Sequence, residues 1–547
     1  MTALKSPSQS GAFHPFVGTD VWELLTVWSR LARDREHLIW QPFDGASRVW
    51  TFGELQRQAE RVAVGLRHRG VRRGDSVLIH LDNCPEFVLS WYACAALGAI
   101  AVTTNTASVQ EELKYFVADA SPVIAVTSPR RLPVVQAAMP PDAPIVVTDH
   151  DSGIASAEGF GTDSFGTLLN SSGDLGPRVV EPLSALSVQY TSGTTSRPKG
   201  VVWTHANALW AGKVGAAHEG LTDKDCHYTY LPLFHTNALS YSMLSSLWAG
   251  ARWLLVPKWS TSRFWDVSRK HRCTWVPLIR LSYEALLNGD PVSDSTYRMF
   301  GLGFGDTPLD AKYNVKTLGW WGMTETVSHP IIGNPVLPDR PMSMGRPAPE
   351  YEIVVVRDDG VTPVEFGESG QLKVRGVRGV SMFHSYLNQP DVTADSFDSD
   401  SWFITGDVVI GHEDGYLSFS HRSKDMIKVD GENVACSEVE RVIIDSGLVN
   451  EAAVVGRPDP IRGEVAAAFV ILREAGDDPA SALMRIREHC IKFLASFKVP
   501  ESIYQVALLP RAAINKVNKA ELQRIVLPGV DLQMAERRWA QIAKSVE

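Results

Sequence analysis

The amino-acid sequence predicts an α/β fold. A large N-terminal domain of mostly parallel sheets packed with helices carries a β-hairpin subdomain and precedes a small α+β C-terminal domain. Three observations lead to this prediction. Helix-like and strand-like patterns alternate through the first half of the chain. From Tyr351 the predicted strands become short and are separated by Asp-Gly turns. A third set of patterns begins after His421. Alternating helices and strands are typical of parallel sheets that are covered on both faces.

The first half of the chain shows its elements through local patterns. Residues Thr51 to Gly70 (TFGELQRQAERVAVGLRHRG) combine a capping threonine, helical apolar spacing and a terminal glycine. The segments DSVLIHL, GAIAVTTN and PVIAVTS are predicted strands with helices between them. The apolar run from Val88 to Val102 is shorter than the roughly 20 residues that a membrane-spanning helix needs. It is predicted to form a buried helix and a buried strand on either side of Gly98.

The second half predicts hairpins and then a small α+β unit. Asp359-Gly360 and Asp414-Gly415 are predicted hairpin turns. Ser437-x-x-Glu440 matches a capping box and predicts a helix that ends at Gly447. EAAVVGR and AAAFVILR are predicted strands, and SALMRIREHCIKFLASF is a predicted long helix. We place the domain boundary at residues 422–425, which gives an N-terminal domain over 1–423 and a C-terminal domain over 424–547.

Size and composition limit the class of protein. The chain has 547 residues, a formal net charge of −9 and 44% hydrophobic residues. Such a chain is too long for one ordinary domain and apolar enough for large cores. Its mild acidity argues against nucleic acid or an anionic membrane as the main partner.

Cysteine spacing and the N-terminal residues bear on the cellular compartment. Six cysteines are scattered without a CxxC pair or a Cys/His metal spacing. This pattern is typical of reduced core thiols in a cytoplasmic protein. The N-terminal residues MTALKSPSQSGAF contain no apolar stretch of the kind that secretory signals carry. We therefore expect a cytoplasmic protein without a membrane span.

The segment from Tyr190 to Gly200, YTSGTTSRPKG, has the parts of an anion-binding loop. Gly193 lets backbone N–H groups turn toward an anion, and Lys199 supplies positive charge. Hydroxyl donors come from Thr191, Ser192, Thr194 and Thr195. The loop does not match the common G-x-x-x-x-G-K-[ST] nucleotide pattern. Taken alone, it is also compatible with a Ser/Thr-rich turn between a strand and a helix.

The residue order of this loop resembles the signature loop of the adenylate-forming superfamily, which includes acyl- and aryl-CoA synthetases. Only Ser196 departs from the pattern, at a position where the family carries glycine. Further motifs follow in the family order from about Trp50 to Leu522. The resemblance implies that the chain binds ATP, Mg²⁺, coenzyme A and a small carboxylic acid. It implies that the loop holds the β- and γ-phosphates.

Two later motifs complete the nucleotide site that the resemblance implies. WWGMTET resembles the family's xYGxTE, so Trp321 would stack on adenine, Thr324 would contact the α-phosphate and Glu325 would hold Mg²⁺. SWFITGDVV resembles the family's TGD segment, so Asp407 would accept hydrogen bonds from both ribose hydroxyls. Asp306, in GFGDTP, is a further candidate on the adenine side.

The C-terminal motifs imply a mobile domain that serves two half-reactions. HRSKDMIKVDGENV resembles the family's hinge segment. Arg422 would contact ribose or phosphate, Lys424 would be the hinge, and Lys428 and Gly431 would lie on the thioester-forming face. LPRAAINKVNKAEL places Lys516 at the position of the adenylation lysine, with Asn515 where glycine is usual. Catalytic roles follow by resemblance for four residues: Lys516, Thr194, Glu325 and His235.

The acid pocket predicted by the same resemblance is rich in aromatic and polar side chains. Its predicted residues are His235, Asn237, Arg280, Gly303, Trp320 and His329. A tunnel for long aliphatic chains should be more uniformly apolar, so a compact acid is favoured. Arg280 could pair with a second carboxylate, which favours an aromatic or dicarboxylic acid, or it could face solvent.

Several alternatives stay open at the level of sequence. The residue sequence from Trp320 to Pro500 also resembles that of carnitine/crotonobetaine-CoA ligases, in which aromatic residues could surround a quaternary ammonium group. An amino-acid-adenylating domain and a non-catalytic nucleotide-binding protein are further alternatives, and a luciferase-like oxygenase is the least favoured. Dimers are common in the superfamily, so a homodimer is a further expectation.

Overall fold

The structure is a computed structural model that describes residues 14–151, 154–155, 163–191, 197–422, 426–473, 478–510 and 517–526. These residues divide into two compact units. The first unit holds most of the described chain up to His421. The second unit holds the described residues from Arg422 onward, together with residues 107–115 and the described ends of the segment 191–199.

The first part of the chain alternates helices and strands, as the sequence predicts. The helices are α1 (Val21–Leu31), α2 (Phe52–His68), α3 (Pro85–Leu97), α4 (Gln110–Ala120), α5 (Leu132–Ala138) and α6 (Phe165–Leu169). The strands are β1 (Glu36–Trp40), β2 (Arg48–Thr51), β3 (Ser76–His80), β4 (Ile100–Thr103), β5 (Ile124–Thr127), β6 (Ile145–Val147), β7 (His150–Asp151), β8 (Ile154–Ala155), β9 (Asp163–Ser164) and β10 (Ala185–Thr191).

The middle of the chain continues the alternation and then turns to hairpins. The helices are α7 (His205–His218), a π-helix (Asn237–Leu244), α8 (Ser245–Ala249), α9 (Thr261–His271), α10 (Arg280–Asn288), α11 (Pro308–Tyr313), a 3₁₀ turn (Thr324–Thr326) and α12 (Pro390–Asp395). The strands are β11 (Lys199–Thr204), β12 (Cys226–Thr229), β13 (Arg252–Leu255), β14 (Trp275–Pro277), β15 (Met299–Leu302), β16 (Lys316–Trp321), β17 (Ile331–Ile332), β18 (Arg346–Pro347), β19 (Glu352–Val356), β20 (Ser369–Arg375), β21 (Ser385–Tyr386), β22 (Phe403–Gly411) and β23 (Leu417–Arg422).

The last part of the chain is a small α+β assembly. Its strands are β24 (Met426–Val429), β25 (Glu432–Ala435), β26 (Val449–Asp459), β27 (Gly463–Leu472) and β28 (Ser502–Gln505). Its helices are α13 (Cys436–Asp445), α14 (Pro479–Phe493), a 3₁₀ turn (Ser496–Lys498) and α15 (Lys519–Ile525). All five strands form one sheet, in which β28 runs parallel to β27.

Two large sheets organise the first unit. One has the strand order β18-β17-β16-β15-β14-β12-β13-β1-β2, and the other has the order β21-β11-β10-β4-β3-β5-β6-β9. Their central pairs are parallel, and the antiparallel pairs lie at the edges. A separate antiparallel sheet has the order β19-β20-β22-β23. The predicted α/β fold class with a hairpin subdomain is therefore confirmed. The boundary between residues 423 and 424 stays a prediction.

Local signals explain most of the element boundaries. Thr51 caps α2 in a complete capping box with Glu54, as the threonine in the sequence indicates. The apolar run from Val88 is a buried helix that ends at Gly98, whose φ of 67° is left-handed, and strand β4 follows. Gly360 and Gly415 also have positive φ, in the predicted hairpin turns.

The prediction was wrong at the start of α13 and at the end of α14. Helix α13 begins at Cys436 after Ala435, so Ser437 lies inside its first turn and makes no cap. The Glu440 carboxylate accepts a hydrogen bond from the Val454 backbone N–H at 2.7 Å and pairs with Lys519. These tertiary contacts take the place of the local box. Helix α14 ends at Phe493, before the predicted LASF segment.

Buried apolar side chains fill both units. The first unit has one large core that takes in residues from both parallel sheets, including Trp50, Trp91, Trp203 and Trp253. The second unit has two smaller clusters around its five-stranded sheet. All six cysteines are buried and free of disulfide bonds. Among the described residues, no helix combines the length and the apolar character needed to cross a membrane.

Candidate active site

The carboxyl end of strand β16 brings together most of the predicted site residues of the first unit. Strand β16 ends at Trp321, and the 3₁₀ turn Thr324–Thr326 follows after two residues. Ligands of open parallel sheets bind beyond the carboxyl ends of the strands, so the position fits a binding site. We call Trp321, Thr324, Glu325 and Asp407 the nucleotide-side group.

The predicted adenine and ribose contacts lie side by side. Trp321 Nε1 donates a hydrogen bond to Asp407 Oδ2 at 2.8 Å, and both side chains are buried. The Asp407 backbone N–H donates to Thr405 Oγ1, and Thr405 Oγ1 donates to the Leu372 carbonyl. Gly406 between them has a φ of 78°, which favours glycine. The indole N–H therefore orients the Asp407 carboxylate.

Thr324 is held by two neighbouring residues, one at its hydroxyl and one at its carbonyl. The Thr236 hydroxyl lies 3.0 Å from Thr324 Oγ1 and 3.2 Å from Gln189 Oε1. Trp203 Nε1 donates to the Thr324 carbonyl at 2.8 Å. A hydroxyl held in this way has a defined direction before any phosphate arrives, so little ordering is needed on binding.

Glu325 is a buried carboxylate with a defined partner. Its side chain is 5% exposed, and Oε1 accepts a hydrogen bond from the Tyr386 hydroxyl at 2.8 Å. The Phe383 backbone N–H donates to the Glu325 carbonyl at 2.8 Å. Burial and the neighbouring Glu325 carboxylate raise the pKa of Tyr386, so its hydroxyl stays a donor. Tyr386 was not predicted, because it lies 61 residues from Glu325 in the sequence.

Val327 has backbone angles that its side chain disfavours. Its φ is 67°, which is an outlier for a β-branched residue. The Val327 carbonyl accepts a hydrogen bond from Ser240 Oγ at 2.7 Å, and the Val327 side chain is fully buried. Such strain persists where the surroundings fix it and is often found at functional sites. Here it directs the chain from the nucleotide-side group to His329.

Four aromatic rings form what we call the aromatic floor: Tyr241, Trp275, Trp320 and His329. The Trp275 and Trp320 rings stack with centroids 5.4 Å apart, and Trp320 stacks on His329 at 4.8 Å. The Tyr241 and His329 centroids are 3.8 Å apart. Burial holds the pKa of His329 well below its ordinary value, and His218 adds to this effect. His329 is therefore neutral, and neither ring nitrogen has a hydrogen-bond partner among the described residues.

Glycines make room for this floor. A Cβ atom at Gly301 would overlap the rings of Trp320 and Trp275, and one at Gly322 would overlap the Tyr241 hydroxyl. The predicted pocket residue Gly303 is exposed, and its Cβ position is open. Close packing explains why only glycine fits at residue 301.

The remaining predicted pocket residues lie on different elements. His235 is half-buried, and its ring lies 4.7 Å from that of Phe234. Asn237 begins the π-helix, and its buried Oδ1 accepts no hydrogen bond within the described chain. Arg280 begins α10 and is exposed, and it makes no ion pair with a described carboxylate. Asp306 is also exposed, with a φ of 51°.

Glu219 is a buried acidic residue that was not predicted as part of the site. It follows the last turn of α7 and is fully buried. Neither carboxylate oxygen makes a hydrogen bond within the described part of the chain, and Oε2 lies 3.5 Å from His227 Nε2. Burial raises its pKa well above the ordinary value, although Arg298 opposes that rise. Its sequence context, AAHEG, is typical of an ordinary helix end and does not indicate that the side chain is buried.

The second unit holds Lys428 and Gly431 on one hairpin. Strands β24 and β25 pair antiparallel across Asp430-Gly431, which have φ values of 53° and 88°. Two positive φ values are typical of a type I′ turn, so the turn itself explains the glycine. Lys428 is exposed, and its backbone N–H donates to Glu464 Oε2 at 2.8 Å.

Some predicted residues lie outside the described part of the chain. These are Ser192, Gly193, Thr194, Thr195, Ser196, Lys424, Asn515 and Lys516. The ends of the predicted loop are described: Thr191 ends β10, and Lys199 begins β11 with a buried side chain. Arg422 ends β23.

Comparison with known proteins agrees with the site geometry. Residues 25–387 match the AMP-binding enzyme family, and residues 438–516 match the AMP-binding enzyme C-terminal domain. The chain is 34% identical over 521 residues to a crotonobetaine/carnitine–CoA ligase of Escherichia coli O139:H28, covering 91% of this chain and 98% of the relative. A ligase of the same name from Shigella flexneri is 33% identical, with the same coverage.

Solved structures show the same fold. The o-succinylbenzoate CoA synthetase of Bacillus subtilis, bound to a product analogue, superposes with a TM-score of 0.77 and 25% identity, covering 92% of this chain and 98% of that one. An anthranilate CoA ligase in complex with anthranoyl-AMP has a TM-score of 0.67 and 26% identity, covering 92% and 97%. The chain therefore belongs to the AMP-binding enzyme family and is an acyl-CoA ligase of the adenylate-forming superfamily.

Proposed function

We propose that the protein activates a compact carboxylic acid as an acyl-adenylate and transfers the acyl group to coenzyme A, releasing AMP and pyrophosphate. The observation that carries this proposal is the nucleotide-side group beside the aromatic floor. Strand β16 links the two, because Trp320 belongs to the floor and the next residue, Trp321, belongs to the nucleotide-side group. ATP and the acid can thereby meet at one sheet edge.

The proposed chemistry solves a leaving-group problem. A carboxylate is a poor acyl donor, because its oxygen leaves badly. Attack of the carboxylate on the α-phosphate of ATP forms an acyl-adenylate and expels pyrophosphate, after which AMP is a good leaving group. Positioning and charge neutralisation drive such phosphoryl chemistry. In this proposal Thr324 contacts the α-phosphate, Asp407 binds the ribose hydroxyls, and Trp321 stacks on adenine.

Glu325 would hold Mg²⁺ in this proposal. Mg²⁺ prefers hard oxygen ligands and is commonly bound by one or two carboxylates together with substrate phosphates. The buried carboxylate of Glu325, oriented by Tyr386, fits that requirement. When bound, the ion would neutralise phosphate charge. Within the described chain, no group of three or more His, Cys, Asp or Glu side chains could bind it alone.

The second unit would serve both half-reactions by domain alternation about Lys424. In the first, we propose that Lys516 stabilises the charge that grows between the carboxylate and the α-phosphate. The phosphate loop, including Thr194 and Lys199, holds the β- and γ-phosphates, and Arg422 contacts ribose or phosphate. In the second half-reaction, the face with Lys428 and Gly431 lies beside coenzyme A, whose thiolate attacks the adenylate carbonyl.

The sharpest test separates the two half-reactions. Lys516→Ala should largely abolish acid-dependent ATP–pyrophosphate exchange, while thioester formation from supplied acyl-adenylate and coenzyme A should persist. Lys492→Ala, at an exposed position of α14, is the control for loss of a lysine in the second unit. Equal loss of both half-reactions in Lys516→Ala would contradict the assigned role. ATP–pyrophosphate exchange that does not depend on an added acid would contradict the proposed acid–CoA ligase function.

Two classes of acid fit the aromatic floor. An aromatic or dicarboxylic acid is supported by the names of the solved o-succinylbenzoate and anthranilate ligases, and Arg280 could meet a second carboxylate. A betaine-type acid is supported by the crotonobetaine/carnitine–CoA ligases and by the buried carboxylate near the floor. A panel of acids from both classes, scored for consumption of coenzyme A, decides between them.

A cytoplasmic location and a homodimer belong to the proposal as well. The reduced thiols support the location, since all six cysteines are buried and unpaired by disulfides. Dimers are common in the superfamily, which supports the second expectation. Light scattering on the purified protein measures its mass directly, and a value for one chain would contradict the dimer.

A further inference from the structure

The buried Glu219 carboxylate lies directly behind the aromatic floor. Burial raises the pKa of the Tyr241 phenol, and the Glu219 carboxylate is close enough to add to that rise. A Cβ at Gly215 would lie 3.9 Å from Glu219 Oε1, so the side chain turns back along α7. The Glu219 carbonyl accepts a hydrogen bond from Trp275 Nε1 at 3.2 Å. The Glu219 backbone thus contacts Trp275, and its carboxylate lies near enough to Tyr241 to act on it electrostatically.

Two rings of the floor are slightly exposed, whereas the Glu219 carboxylate is fully buried. Tyr241 is 4% exposed and Trp320 is 6% exposed, whereas Glu219 and Trp275 have no exposed surface. A ligand that reached the floor would meet the faces of its aromatic rings. Aromatic faces and carbonyl oxygens carry partial negative charge and attract cations.

The charges around Glu219 leave its own charge poorly compensated. His227 on β12 stacks on Trp275, and burial lowers its pKa to about 3, so it is neutral. The nearest cation, Arg298, donates to Asp225 Oδ1 at 2.7 Å and to the Gly220 carbonyl at 2.8 Å. Arg298 is thereby balanced by Asp225. Tyr241, which lies within electrostatic range of Glu219, is uncharged, and so is His329 in the same floor.

We propose that Glu219 determines substrate specificity: it is the buried counter-charge, behind Tyr241 and Trp275, for a quaternary ammonium group on the acid substrate. The inference rests on the proposed acid–CoA ligase function and deepens it. A trimethylammonium group cannot donate a hydrogen bond, so aromatic faces bind it well and a distant carboxylate supplies the charge. Glu219 is a positioning residue, since Tyr241 and Trp320 stand between it and the acid.

The protonation of Glu219 completes the argument. Without a cation, burial favours its neutral form. A bound cation favours the ionised form, because opposite charges in a poorly hydrated site attract strongly. Binding of a cationic acid should then release up to one proton from Glu219. A neutral acid of the same shape should leave the proton in place.

The test compares two acids of nearly equal shape, 4-(trimethylammonio)butanoate and its carbon isostere 5,5-dimethylhexanoate. Acid-dependent ATP–pyrophosphate exchange gives kcat/KM for each. We expect the wild-type protein to prefer the cationic acid by about tenfold or more, and Glu219→Gln to remove most of that preference through the KM of the cationic acid. Glu350→Gln is the matched control, because Glu350 accepts from His218 Nε2 at 2.9 Å at the same helix end. Its preference should equal that of wild type.

A second measurement on the wild-type protein does not depend on a variant that folds. Titration calorimetry in two buffers of different ionisation enthalpy measures proton release when each acid binds to protein loaded with α,β-methylene-ATP. We expect release with 4-(trimethylammonio)butanoate and none with 5,5-dimethylhexanoate. Equal release for both acids, or equal kcat/KM for both, would overturn the role of Glu219.

Failure of this inference is distinguishable from failure of the proposed function. If benzoate or succinate supports exchange and the cationic acid does not, the ligase function stands and the role of Glu219 is wrong. If no acid in the panel supports exchange, the proposed function is wrong, and the role of Glu219 falls with it. If Glu219→Gln lowers kcat/KM for both acids by the same factor, the carboxylate stabilises the fold and does not distinguish a charged acid from a neutral one.

Discussion

The nucleotide-side group and the aromatic floor share strand β16 but differ in how their polar atoms are satisfied. Trp321, Thr324, Glu325 and Asp407 all take part in hydrogen bonds within the protein. Around the floor, both nitrogens of His329 and both carboxylate oxygens of Glu219 have no hydrogen-bond partner among the described residues. Buried polar atoms without partners are uncommon and costly.

This difference indicates two modes of recognition. The nucleotide-side group is oriented in advance by its own contacts, which suits a ligand that is the same in every turnover. The polar atoms around the floor have no such contacts, so the acid itself can satisfy some of them. Specificity for the acid should then depend strongly on which polar group it carries.

Glu325→Gln should have the largest effect. The change removes the charge of a buried carboxylate but keeps its shape, so adenylate formation should fall by about 10²–10³-fold, as for the loss of one electrostatic stabiliser. Rates of ATP–pyrophosphate exchange over a range of Mg²⁺ concentrations measure the effect. Tyr386→Phe is the matched control, because it removes the 2.8 Å hydrogen bond to Glu325 Oε1 and leaves the Glu325 carboxylate in place. If Tyr386→Phe lowered the exchange rate as much as Glu325→Gln does, the orientation of the Glu325 side chain would matter more than its charge.

Gly301→Ala should damage the aromatic floor alone. Its new methyl group would overlap the rings of Trp320 and Trp275, so we expect a loss of about 1–3 kcal/mol of stability and a raised KM for the acid. Thermal unfolding and exchange kinetics measure these two effects. Gly303→Ala is the control, because its Cβ position is open. A rise in the KM for ATP equal to that for the acid would show that the two regions are not independent.

Much of this arrangement could be predicted from the sequence where the signal is local. The Thr51 capping box and the buried helix before Gly98 follow from neighbouring residues, and the motifs around Trp321 and Asp407 follow from their order. The box at Ser437 failed because Glu440 has stronger tertiary partners, the Val454 N–H and Lys519. Glu219 and Tyr386 could not be predicted, since their roles depend on burial and on residues far away in the chain.

The pH dependence of stability should report on His227 beneath the floor. Burial lowers its pKa in the folded protein to about 3, below the ordinary value of 6.5. Between pH 6.5 and 3 the unfolded chain therefore binds a proton at His227 that the folded protein does not bind. Because of this difference, the free energy of unfolding decreases by up to about 1.4 kcal/mol for each pH unit from 6.5 toward 3. Chemical denaturation at several pH values should find the destabilisation caused by His227→Gln smaller at pH 5 than at pH 7. A destabilisation independent of pH would mean that His227 has the same pKa in the folded and the unfolded protein, which would contradict the burial effect.

Trp321→Phe should have the smallest effect on the nucleotide side. Phenylalanine keeps an aromatic face for adenine but removes the N–H that donates to Asp407 Oδ2 at 2.8 Å. One hydrogen bond to a charged group contributes about 1.5–3 kcal/mol, and water can replace part of it, so the KM for ATP should rise about tenfold while the KM for the acid stays unchanged. Trp320→Phe, the adjacent residue in the floor, should show the opposite pattern. Because the two residues are consecutive on β16 and face different ligands, a swap of the two patterns would reverse the assignment of both regions.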